Sequence, residues 1–324
     1  MKVAQLLETR RENWRLLEQL CNRMENRGKR SLRPAEMTRF ASLYRATCAD
    51  LALADGYQLP EQTVHYLHQL VGRAHNQFYR SRLFDLRGWL RELLHDVPVR
   101  LFHDGYFRLA LALFWGGFLL STFLASGYSP LTDFAVAVVG EKGIFDLEQM
   151  YNTPVGDRPI TGAMAGFYLL NNTSIGLQCF AMGMLFGVGG LFATLFNAIF
   201  LGTIFGHMSK VPQADNFFNF VTAHGPFELT AVVLSAAAGM RLGFALVDTR
   251  GLTRAAALRR AGNEAMPIMG AAMVLFGLAA LIEAFISPSA LPYAIKAGVS
   301  IVSAVMLLFY FLVLGTRGNE PSAT

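Results

Sequence analysis

A histidine and a glutamate four residues apart, His224 and Glu228, stand at the start of an apolar stretch long enough to cross a bilayer, TAHGPFELTAVVLSAAAGMRLG (Thr222–Gly243). At that spacing the two side chains lie one turn apart on the same helical face. Ionisable groups inside a span cost roughly 2.5–3.5 kcal/mol each at mid-depth, so they need partners or a role. Further polar residues in the apolar half are Asn171, Asn172, Gln178, Asn197, Arg241 and Glu283. The set expected to form an intramembrane polar cluster is Asn171, Asn172, Asn197, His224, Glu228 and Glu283. Three kinds of chemistry are open to it: helix cross-linking by amides and paired charges, an ion or proton path, and a catalytic or metal site. For a metal, His224 and Glu228 lack a third ligand of known proximity. His207 is the nearest candidate in sequence, so no metal ligand set is assigned and no cofactor is expected. Arg241, toward the other end of its span, reads as a snorkelling side chain.

Positioning such a cluster requires helices. The 324 residues are 53% hydrophobic and 16% charged with a mean hydropathy of +0.36, too apolar for an ordinary soluble chain. The charge is unevenly spread. Residues 1–108 carry 18 Lys/Arg against 12 Asp/Glu, and the remainder carries 10 against 11. A basic polar head before an apolar body is a membrane-protein pattern. No basic run interleaved with aromatics supports nucleic-acid binding. Cys21, Cys48 and Cys179 form no metal spacing and no even framework, and read as free thiols.

The resulting expectation is an all-α, polytopic helical membrane protein with an N-terminal cytoplasmic helical bundle. Helices are expected over 3–27 (Val3, Leu6, Leu7, Trp14, Leu17, Leu20), from Ser31 or Pro34 to about Asp55, and from Pro60 to about Tyr79. Arg82–Phe102 carries a leucine stripe with Trp89 and four arginines. It is either an interfacial helix before the first span or one more helix of the bundle. About six membrane segments follow. Tyr106–Ser126 goes out and an acidic connection, 127–161, carries Asp133, Glu141, Asp146, Glu148 and Asp157. Residues 162–208, broken at GVGG (Gly187–Gly190), are either two spans or a re-entrant pair, which leaves four full spans in all. Thr222–Leu246, Ile268–Phe285 and Tyr293–Gly315 complete the set, with the basic segment Asp248–Pro267 on the inside. The domains are thus 1–104 (cytoplasmic helical domain), 105–316 (transmembrane domain) and 317–324 (cytoplasmic tail). Both termini are cytoplasmic.

Four GxxxG patterns, Gly162–Gly166, Gly183–Gly187, Gly202–Gly206 and Gly239–Gly243, point to close helix packing within or between subunits. No HExxH, GxSxG, P-loop or GxGxxG fingerprint occurs, so nothing proposes an enzyme.

The helix bearing Trp14, LYRATCADLA (Leu43–Ala52), YLHQLVGRAHNQFY (Tyr66–Tyr79), FYLLNN (Phe167–Asn172), FNAIFLGTIFG (Phe196–Gly206), HGPFEL (His224–Leu229), GMRLG (Gly239–Gly243) and IEAF (Ile282–Phe285) resemble the stage II sporulation protein M family. HG followed by EL, with a downstream intramembrane IE, carries the resemblance furthest. The family-like positions are Asn171, Asn172, Asn197, Gly202, Gly206, His224, Gly225, Glu228, Gly239 and Glu283. The resemblance implies an anchor or scaffold of the bacterial inner membrane, since the family's best-known member sits in an engulfment assembly with peptidoglycan-degrading proteins. Its expected partners are the lipid bilayer, other envelope proteins and a second copy of the chain, with no nucleic acid. The alternative is a proton- or ion-coupled transporter or channel using His224, Glu228 and Glu283, motivated by glycine-broken spans and membrane carboxylates.

Overall fold

The computed structural model describes residues 9–27, 32–79, 85–156 and 162–317. The expected helix residues Val3, Leu6 and Leu7, the break at 28–31, Arg82, Asp157 and the tail after Arg317 lie outside them. All regular structure among the described residues is helical. The chain divides into two compact units, Met1–Asp85 and Leu86–Thr324.

In the first unit three helices, α1 (Arg11–Arg27), α2 (Pro34–Gly56) and α3 (Glu61–Tyr79), close on one core. Trp14, Leu17, Cys21 and Met24 recur at helical spacing along α1 and are buried with Phe40 and Leu43 of α2 and Leu67, Leu70 and Ala74 of α3. Pro34 opens α2, where its missing N–H costs nothing, and the Arg33 N–H donates to Glu36 Oε2 at 2.9 Å. The buried Asp50 carboxylate accepts from Trp14 Nε1 at 2.8 Å and pairs with Arg10. Arg73 on α3 reaches Glu25 on α1 at 2.9 Å, which holds that carboxyl below its ordinary value. Burial pushes the Cys21 thiol up to about 11.

The second unit starts with α4 (Leu86–Arg91), a wide π-type turn (Glu92–Asp96) and α5 (Val97–Phe102). The segment expected to lie before the first span therefore joins the membrane unit, and the division falls at 85/86 rather than at 104. Its inner face, Leu93, Val97 and Leu101, is buried, while Leu86, Leu90 and Leu94 stay exposed. The wide turn follows from Pro98, which has no N–H to continue an α-helical ladder.

Six long helices follow: α6 (Gly105–Ala125), α9 (Gly162–Gly183), α10 (Val188–Met208), α12 (Gly225–Val247), α13 (Arg254–Phe285) and α14 (Tyr293–Leu308, extended through a second wide turn to Leu314). Short helices α7 (Phe134–Val139), α8 (Glu141–Met150) and α11 (Ala214–Val221) lie between them. Five of the six, searched among the described residues, are long and apolar enough to cross a membrane. The sixth, α9, is as long at 22 residues, but Asn171, Asn172 and Gln178 lower its hydropathy.

Contacts along these helices fix their directions. Phe118 meets Gly202 and Thr122 meets Gly206, so α6 and α10 run parallel. Tyr106 stacks on Phe244, which makes α12 antiparallel to α6. Gly176 meets Ser235 and Gly183 meets Gly239, so α9 runs with α12. One end of the unit thus collects Asp104, Gly187, Glu264 and Leu314. The other collects Ala125, Met208, His224 and Ser287. The question over 162–208 resolves in favour of two full-length helices. At 22 and 21 residues each spans roughly 30 Å, and their turn lies beside Phe244 at the Asp104 end rather than at mid-depth. That turn needs left-handed backbone at Phe186 (φ 52°) and Gly187 (φ 78°), and glycine supplies the second without strain. The basic stretch Asp248–Pro267 is also more ordered than expected. Thr253 caps α13, and the helix runs through Pro267.

The glycine patterns are used inside the chain. A Cβ on Gly183 would lie 2.3 Å from the Gly239 carbonyl carbon, and one on Gly243 would lie 2.0 Å from the Gly183 oxygen. Gly202 and Gly206 face the carbonyls of Phe118 and Thr122 as closely, while Gly162 and Gly166 face open space.

Candidate functional site

Helix α12 begins immediately after His224, with Pro226 in its first turn pre-setting the backbone, so Glu228 is one turn inside the helix. The His224 ring is buried edge-on to Phe220 of α11, at 5.8 Å between centroids. Its Nδ1 lies 2.9 Å from Ser287 Oγ, just past the end of α13, and its Nε2 lies 3.4 Å from Glu228 Oε2. Glu283, on the last turn of α13, is the third member. The ligand-type atoms of His224, Glu228 and Glu283 all fall within 4.8 Å of one another. From α9, Asn172 Nδ2 donates to Glu283 Oε2 at 2.9 Å, and Asn171 Nδ2 donates to Asn172 Oδ1 at 3.1 Å. Three helices therefore meet in one continuous polar network at the Ser287 end.

Asn197 does not join it. Its amide donates to Ala193 O at 2.8 Å within α10 and approaches Cys179 Sγ at 3.5 Å. Cys179 is about two turns along α9 from Asn172, so Asn197 stands at a different depth. His207 is also elsewhere, with Nε2 2.7 Å from Glu148 Oε1 on α8. The third group beside His224 and Glu228 is a carboxylate 55 residues downstream of Glu228, not the nearest histidine.

Arg241 does not snorkel. It pairs with Asp104 Oδ2 at 2.7 Å and with Glu264, and its guanidinium lies 5.5 Å from the Tyr106 ring centroid. Asp104 also caps α6 by accepting from Tyr106 N at 2.8 Å. This second ion cluster holds the opposite end of the unit.

Lys296 is a site residue that sequence reasoning missed. It is fully buried in the first turn of α14, and its Nζ donates to the carbonyls of Ser287 and Ser289 at 2.8 and 2.9 Å. A lysine four residues into a span reads as an interfacial anchor, and only the fold of the 287–292 turn converts it into a clamp on the residue that orients His224.

A large groove of about 740 Å³ runs between α6, α12 and α14, lined by residues such as Phe107, Trp115, Pro226 and Leu307. Its walls are almost wholly apolar. It passes the first turn of α12 without including His224, Glu228 or Glu283 among its lining residues.

Residues 110–288, more than half of the chain, match the family model for stage II sporulation protein M. The chain belongs to that family. The match takes in α9, α10, α12 and α13, and so contains the whole His224–Glu228–Glu283 network with Asn171, Asn172 and Ser287. Residues 4–80 match a separate model described as a domain of unknown function (DUF8413), in agreement with the separate three-helix unit. No curated protein and no solved structure matches. Family and apolar helices together make this a multi-pass membrane protein.

Proposed function

We propose that the protein is an integral membrane scaffold that anchors a cell-envelope protein assembly, with the three-helix unit as its docking or regulatory module. The observation that carries this reading is the backbone-to-backbone packing of the membrane unit. Gly183 against Gly239 and Gly243, and Gly202 and Gly206 against Phe118 and Thr122, leave no side chains to slide between the helices. Alternating access needs one group of helices to rock against another. Seams closed at backbone contact resist that motion, whereas a rigid anchor benefits from them.

Under this reading the chain lies in the bacterial inner membrane with both termini cytoplasmic, because the basic segments 1–108 and 250–260 then share one side. Its partners are the bilayer, other envelope proteins and a second copy of the chain. Self-association would use a face other than the close glycine contacts. The outer side of α14, with Ile301, Val302 and Val305 exposed, is such a face.

Two measurements test the scaffold together. Site-specific cross-linking in cells should capture an envelope protein, and deleting the chain should release that protein from its normal position. Purified full-length protein in sealed vesicles should pass neither protons nor solutes under an imposed gradient. A flux that disappears in Glu228→Gln would replace the scaffold with a transporter.

A further inference from the structure

We propose that His224, Glu228 and Glu283 bind one divalent transition-metal ion of the zinc class. This goes beyond the scaffold reading and stands or falls separately from it.

The first support is geometric. A tetrahedral ion with bonds of roughly 2.0–2.1 Å separates its ligand atoms by about 3.3–3.4 Å. His224 Nε2 and Glu228 Oε2 are 3.4 Å apart, and the Glu283 oxygen lies within 4.8 Å of both. The three come from the beginning of α12 and the end of α13, buried or nearly so.

The second is the polarity of what converges. When His224 Nδ1–H donates to Ser287 Oγ, its Nε2 presents a lone pair to a carboxylate oxygen. Two carboxylates and a lone pair then face one point with no donor among them. The nearby buried cation does not fill it, because Lys296 gives its ammonium to the carbonyls of Ser287 and Ser289. Two carboxylates without a counter-charge in an apolar surround are expensive, and a dication neutralises both at once.

The third is the outer ring of partners. Metal-bound histidines give their other ring N–H to an oxygen, and metal-bound carboxylates accept a second hydrogen bond. Ser287 stands in the first relation to His224, and Asn172 stands in the second to Glu283. One imidazole with two carboxylates favours zinc, manganese or iron(II) over calcium or magnesium, which take oxygen alone. Three protein ligands leave the fourth tetrahedral position to water.

The test uses full-length protein in detergent with its affinity tag removed, loaded with zinc and then freed of unbound ion. The expected result is about one zinc per chain, and a visible absorption band of tetrahedral cobalt(II) when that ion is substituted. Glu283→Gln and His224→Ala should each lower the bound zinc at least tenfold, while Asn197→Ala retains it. Elution profile and thermal melting establish that each variant is folded, and Glu228→Asp is a milder variant if the others are not. The wild-type measurement decides even if every variant misfolds. Wild type that retains no zinc overturns the site, and zinc that persists unchanged in folded His224→Ala and Glu283→Gln marks an adventitious ion only.

Discussion

The hydroxyl of Tyr310 donates to the backbone carbonyl of Leu93 at 2.6 Å, across 217 residues of chain. The bond answers a local shortage. In the wide turn the Val97 N–H goes to Glu92 O, five residues back, so Leu93 O loses its usual donor. The next residue, Pro98, has no N–H to offer. Tyr310, itself at the start of a wide turn in α14, supplies the missing proton.

Tyr310→Phe is therefore expected to orphan a buried carbonyl and cost about 1–3 kcal/mol. The loss should appear as a lower melting temperature of the full-length protein in detergent. An unchanged midpoint would mean that another donor or water reaches Leu93.

The Arg241 cluster predicts an asymmetry. Arg241→Leu leaves the buried Asp104 carboxylate without its counter-charge, with only the Tyr106 N–H still donating to it, and should destabilise by about 3–5 kcal/mol. The double variant Arg241→Leu/Asp104→Asn should recover a large part of that loss, because the buried charge at 104 is gone and the partly exposed Glu264 keeps Arg260 at 3.4 Å. Thermal melting of wild type, both single variants and the double variant yields the coupling directly. Additive losses would show that the two side chains act independently.

Much of the fold was legible in the sequence. Five spans declare themselves by length and apolarity, and Pro34, Gly56 and Pro60 mark the ends of helices in the first unit. Five of the motifs behind the family resemblance, from FYLLNN to IEAF, fall inside the family match, whereas the Trp14 helix and the motifs at Leu43–Ala52 and Tyr66–Tyr79 fall under the separate match over residues 4–80. The site was legible only in part. His224 and Glu228 are paired by helical spacing, but Glu283 and Asn172 reach them through the rotation of α9 and α13 about their axes. Helix α12 is buried on nearly every side, so no apolar stripe reveals which neighbour faces which residue. Arg241 and Asp104, 137 residues apart, were hidden for the same reason. Asn197 was grouped with the cluster because it is polar and intramembrane, yet depth along α10 decides its partners.

Glycine substitutions should separate packing positions from bystanders. Gly183→Ala and Gly239→Ala each push a methyl group into backbone of the facing helix, at 2.3–2.4 Å for the nearest atom. Backbone can yield only by separating α9 from α12, and overpacking of this kind costs about 1–3 kcal/mol or more. Gly166→Ala meets nothing within 4 Å and should be neutral or slightly stabilising. Melting temperature and yield of folded protein check all three.

The thiols predict an order of labelling. Cys21 is buried, and a thiol titrating near 11 instead of 9.0 holds roughly a hundredfold less thiolate at pH 8. Cys48 is half-buried and should react with iodoacetamide first, while Cys21 waits for local opening. The sign for stability follows from the raised value. The fold favours the protonated thiol, so its contribution is complete below pH 9.0 and is lost as pH rises from 9.0 toward 11. Mass spectrometry of labelled peptides between pH 7 and pH 10 measures the order, and Cys21→Ser should remove the alkaline component of instability.

The hydrogen bond from Asn172 to Glu283 also has a consequence in time. Chains are made from the N-terminus at about 5–20 residues per second. The asparagine thus leaves the ribosome 111 residues ahead of its acceptor, several seconds at that pace. During that interval the Asn172 amide on α9 lacks the carboxylate acceptor it uses in the fold. That link between α9 and α13 can form only after α10 and α12 have also been made, although α9 is the second of the six to be synthesised.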